Sequence, residues 1–195
     1  MGCDLNGASA DGGRDERINV FALVIYIPDP LGKFLDDLRR ELVPAYNPHA
    51  HVSVLPPRPI AVEQREAAEQ ARAVIESWTP FDVELTNIAI FPVTDVTYLE
   101  VGGGAAELRR MHTAMNSGAL AFEEPFEYHP HITLAQEVPH DRVAMLTDLA
   151  VQRWRHYAGP RVFRAERATF VQSTLRGCWI DLAECALGTM ARVPR

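Results

Sequence analysis

The chain writes one polar–apolar word twice. Residues 49–56 read HAHVSVLP and residues 129–136 read HPHITLAQ, so both follow H-x-H-x-[ST] and both run into an apolar stretch. On a β-strand, alternate side chains share a face. The spacing predicts His51 and Ser53 on one face of a strand, with Val52 and Val54 on the other. His131 and Thr133 oppose Ile132 and Leu134 in the same way. A fold that hosts both copies must bury two apolar strand faces and leave two imidazoles and two hydroxyls on the reverse sides.

The intervening segments supply the means. Residues 18–28, INVFALVIYIP, are β-branched and aromatic and stop at a proline, which predicts a largely buried strand. Asp29 is the expected N-cap of the next helix, with Pro30 at its first position. Leu31, Phe34, Leu35, Leu38 and Leu42 recur at helical spacing along it. HVSVL at 51–55 reads as a strand closed by PPRP, whose prolines are expected to forbid further pairing. A helix is expected over 61–77, strands over 81–92 and 96–102, and a helix from about Ala105 to Leu120. Then come a strand at 131–135 and a helix over 140–154. RVFRAERATFVQST and GCWIDLAECAL suit a hairpin turning at Arg176-Gly177.

The order β-α-β-α-β-β-α-β-α-β-β gives each H-x-H strand a matching slot, after one helix and before another. This pseudo-repeat predicts an α+β fold of two antiparallel or mixed sheets with helices on their outer faces. Residues 1–17, rich in Gly, Asp and Ser, are expected to be a disordered tail, and 18–195 a single domain.

Composition narrows the function. A chain of 195 residues, 47% hydrophobic and 23% charged, suits one domain or two small lobes sharing a core. Its longest apolar run, residues 20–27, falls short of a membrane span, and the N-terminus has no secretory pattern. Three cysteines without a C-x-x-C pair argue against a disulfide framework or a zinc knuckle, and the expectation is a reducing cytoplasm. A net charge of −7 disfavours long double-stranded nucleic acid as a partner, but leaves room for a short or terminal phosphate group.

If the two strands face one another across a cleft, His51, Ser53, His131 and Thr133 converge. Such a set suits attack on a phosphodiester. One neutral imidazole takes a proton from the nucleophile and one imidazolium gives a proton to the leaving oxygen, each role contributing about 10²–10⁴ in rate. The hydroxyls can donate to the non-bridging oxygens, where the transition state holds charge. That chemistry needs neither metal nor cofactor.

HVSVLPPRP and HPHITLA resemble the paired H-x-[ST] motifs of the 2H phosphoesterase superfamily, in particular its 2′-5′ RNA ligase-like, cyclic phosphodiesterase branch. The resemblance covers residues 18 to 190 and implies a bilobed fold around a central cleft. It implies His51 and His131 as the acid–base pair and Ser53 and Thr133 as phosphate-binding hydroxyls. It also implies hydrolysis of 2′,3′-cyclic phosphates, or handling of 2′,5′ linkages, at a nucleoside or short RNA terminus.

Two other readings stand beside this one. Two H-x-H pairs on strands could offer four nitrogen ligands to a metal, as in a hydrolase or dioxygenase, although Pro48 and Pro130 disturb those strands. A non-catalytic module could hold a nucleotide or RNA end in the same cleft. Arg58 is expected either to reach a phosphate or to be a solvated loop residue. Tyr26, Phe91 and Tyr98 could stack a base but are expected in the core, GGG at 102–104 as a turn, and FEEPFEY at 122–128 as a solvated loop.

Overall fold

The computed structural model describes residues 16–44 and 49–188. The expected N-terminal tail therefore lies outside the described residues except for Glu16 and Arg17, and Arg17 already belongs to a strand. In chain order the elements are β1 (Arg17–Tyr26), α1 (Leu31–Leu42), β2 (His51–Arg58), α2 (Gln64–Ser77), β3 (Phe81–Phe91) and β4 (Val96–Val101). After these come α3 (Ala105–Met115), a short 3₁₀ turn (Gly118–Leu120), β5 (His131–Ala135), α4 (His140–His156), β6 (Val162–Ala165), β7 (Arg167–Thr174) and β8 (Trp179–Ala186).

Two four-stranded antiparallel sheets result, ordered β2-β1-β7-β8 and β5-β4-β3-β6. Each H-x-[ST] strand is thus the edge of its sheet, and each pairs with the strand one helix earlier. The pseudo-repeat seen in the sequence is real at the level of topology. The helices then cross over: α1, which leaves β1, packs on β5 of the other sheet, and α3, which leaves β4, packs on β2. Val52, Val54, Ile132 and Leu134 are fully buried. They join α1, α2, α3 and α4 in one continuous apolar core that spans both sheets.

Three local expectations are corrected. β2 continues through Pro56 and Pro57 to Arg58, with Phe21 facing Arg58 across the ladder after a bulge at Leu23. Prolines are tolerated there because an edge strand leaves one side of its backbone unpaired. The segment RVFRAERATFVQST is not one strand: it breaks at Glu166, with β6 pairing β3 in one sheet and β7 pairing β1 in the other. Finally, Pro30 takes the N-cap position of α1, although the Asp29 carboxylate still accepts the Lys33 amide at 2.9 Å.

GGG at 102–104 is a turn, as expected. Gly104 has φ +85°, and a side chain there would run into the Asp82 carbonyl. Cys185 is a buried free thiol. Among the described residues, no helix is long and apolar enough to cross a membrane.

Candidate active site

The two edge strands lie against one another where the sheets meet. His51, Ser53, His131 and Thr133 are all half-buried, alternating with fully buried neighbours as the strand period demands. Cross-strand partners share a face. On the first sheet, Tyr26 lies opposite His51 and Val24 opposite Ser53. On the second, Glu100 lies opposite His131 and Tyr98 opposite Thr133. All four residues singled out from the sequence therefore occupy the predicted faces, and His131 lies close enough to His51 for its charge to be felt there.

The two imidazoles are held in the same way. Nδ1 of His51 is 2.9 Å from the carbonyl oxygen of His49, and Nδ1 of His131 is 2.7 Å from that of His129. A carbonyl can only accept, so Nδ1 carries the proton in both rings and Nε2 becomes the nitrogen available for proton transfer. This supplies the role that the sequence left open for the first histidine of each word: it lends its backbone. His49 takes a left-handed conformation (φ 76°) and stands before the strand. The strands begin at His51 and His131, and among the described residues no three His, Cys, Asp or Glu side chains are grouped so as to hold a metal ion.

The surroundings differ between the copies. The Tyr26 ring meets both His49 and His51 at steep angles, at 5.6 and 6.3 Å between centroids. The Tyr26 hydroxyl donates to Asp181 at 2.6 Å. Burial and Asp181 together hold that phenol well above its usual range. Tyr26 and Trp179 pack on Ala22, Val24 and Val171, a small apolar cluster separate from the main core. Around His131, Phe91 and Tyr98 stack at 3.9 Å and meet the rings of His129 and His131 at steep angles. Tyr98 is buried, as expected of a core aromatic, while Tyr26 and Phe91 are half-buried beside the histidines.

Burial pushes the His51 imidazole down to about 4, opposed by its bond to the His49 carbonyl. The charges of Arg39 and His131 push the same way as burial, and Asp36 opposes them. Burial also lowers His131, against the bond to the His129 carbonyl. Arg39 is a buried cation on α1, and Asp36 on the same helix accepts the Ala50 amide at 2.6 Å. Sequence reasoning passed over Arg39, because an arginine beside Leu38 on an amphipathic helix reads as a surface charge.

Arg58 is neither solvated nor directed at a phosphate. It is 2% exposed, forms an ion pair with Glu124, and donates to the carbonyls of Pro56 and Leu120 and to Asn116 Oδ1. The acidic segment 122–128 is accordingly only partly solvated, since Glu124 is turned inward to that guanidinium.

Residues 27–176 match the 2′-5′ RNA ligase superfamily, and the chain belongs to it. A protein of Oceanobacillus iheyensis named as a phosphoesterase is 28% identical over 118 residues, 56% of this chain and 68% of that one. An RNA 2′,3′-cyclic phosphodiesterase of Aeropyrum pernix is 36% identical over 84 residues, 40% of this chain and 45% of that one. Among solved structures, E. coli LigT in its apo form is similar with a TM-score of 0.62 at 16% identity, over 88% of this chain and 97% of LigT. LigT has also been solved with 3′-AMP and with phosphate. At that identity the likeness speaks for the fold.

Proposed function

We propose that this chain is a metal-independent phosphoesterase that hydrolyses 2′,3′-cyclic nucleotide or RNA-terminal phosphodiesters by two-histidine acid–base catalysis. The observation that carries the reading is the shared Nδ1 anchor, which fits both histidines for proton transfer through Nε2. Membership of the superfamily and the cyclic phosphodiesterase among its relatives support the substrate class. LigT with 3′-AMP or phosphate supports a nucleotide-sized ligand.

In the reaction, water attacks phosphorus and gives its proton to one imidazole. The bond from phosphorus to one ribose oxygen breaks, and that oxygen takes a proton from the other imidazolium. Ser53 and Thr133 donate to the non-bridging oxygens, whose charge is greatest in the transition state. His51 is the base and His131 the acid. The deeper burial effect and the nearby Arg39 keep His51 neutral, which is the state a base needs.

The test is turnover of the four nucleoside 2′,3′-cyclic monophosphates by purified protein, with and without EDTA. EDTA-resistant turnover is expected. Turnover lost to EDTA and restored by a divalent ion would contradict the reading.

A further inference from the structure

We infer that Tyr128 is a positioning residue that sets the spacing between the two catalytic words, bonded to the strand of the first and continuous in chain with the carbonyl anchor of the second. The inference rests on the proposed two-histidine chemistry. Tyr128 is part-buried, and its hydroxyl donates to the Ser53 carbonyl at 2.7 Å. The next residue is His129, whose carbonyl accepts the Nδ1–H of His131 at 2.7 Å. One side chain thus joins the backbone of a phosphate-clamp residue to the segment that orients the opposite imidazole.

Tyr128 is itself fixed. Its ring stacks on His112 at 3.9 Å with 4° between the planes. His112, on α3, uses Nδ1–H to bond the Val54 carbonyl at 2.9 Å and places Nε2 3.7 Å from Glu124. Glu124 is paired with Arg58 at the far end of β2. Asn116 accepts from both Arg58 and the Phe122 amide at 2.8 Å, and its own amide donates to the Phe122 carbonyl. The loop from 121 to 128 is therefore tied to β2 directly at Ser53 and Arg58, and through the stacked His112 ring at Val54.

Tyr128→Phe removes the hydroxyl and keeps the stack. The expected result with cyclic nucleotides is a roughly tenfold or greater fall in kcat, of the size that misplaced catalytic groups produce, with KM little changed. The melting temperature should drop by no more than about 4 °C. Imidazole ¹⁵N spectra give a readout independent of turnover. The Nδ1–H tautomer signature of His131 should become averaged in the variant, while that of His51 persists as an internal control. Should the wild type turn over no cyclic substrate, the proposed chemistry fails, and the spectra still test the positioning. Unchanged kcat together with an unchanged His131 signature would overturn the inference. A fall in kcat that tracks a large loss of melting temperature, with the tautomer intact, would also overturn it.

Discussion

Arg58 of β2 and Glu124 of the loop before β5 form an ion pair, with side chains 1% and 12% exposed, that ties the end of one catalytic word to the approach of the other. Removing one partner of a buried pair leaves an uncompensated charge, which costs about 3–5 kcal/mol. Arg58→Met is expected to lower stability by that order in urea titration, and Glu124→Gln by less, since the guanidinium keeps three neutral acceptors. A loss below about 1 kcal/mol for Arg58→Met would show that the pair carries little.

In the proposed mechanism the dependence of kcat/KM on pH follows from the two imidazoles. As pH falls through about 4, His51 gains a proton and the base is lost. As pH rises through the lowered value of His131, below the ordinary histidine value near 6.5, the acid is lost. The bell is therefore expected on the acid side of neutrality. His51 is faced by Arg39 and Asp36 from α1, Tyr26 from β1 and His131 from β5. Arg39→Met removes a cation that disfavours His51 protonation, so the acid limb should move to higher pH. An unmoved limb would mean that Arg39 does not act on His51.

In the proposed reaction Ser53 and Thr133 supply one donor each, and removing one donor from an oxyanion site costs about 10²–10³ in kcat. Ser53→Ala and Thr133→Val are each expected to fall in that range, and Thr133→Ser to retain most activity. Steady-state kinetics on a cyclic nucleotide checks all three. A Thr133→Val enzyme as fast as the wild type would remove that hydroxyl from the mechanism.

What could be read from the sequence was what period and side-chain identity encode. β5 begins and ends where alternation in HITLA places it, and Leu31, Leu35, Leu38 and Leu42 face the core as their spacing requires. The four half-buried site residues follow from the same period. What escaped depends on tertiary context. Glu166, where the chain changes sheets, lies between two strands whose patterns join without a visible break. His49 and His129 act through backbone carbonyls, which no side-chain pattern reports. Arg58 and Tyr128 have partners 66 and 75 positions away, a pairing that only the folded chain brings about.

The central claim is tested most directly by single-turnover hydrolysis of a nucleoside 2′,3′-cyclic phosphate, in EDTA, by wild type, His51→Ala and His131→Ala. Each substitution removes a group worth about 10²–10⁴, so each variant should be slower by at least that factor while keeping the wild-type melting temperature within a few degrees. Full activity in either variant would contradict the two-histidine account. Tight nucleotide binding by the wild type without any turnover would contradict it too, and would make the site a nucleotide-holding cleft.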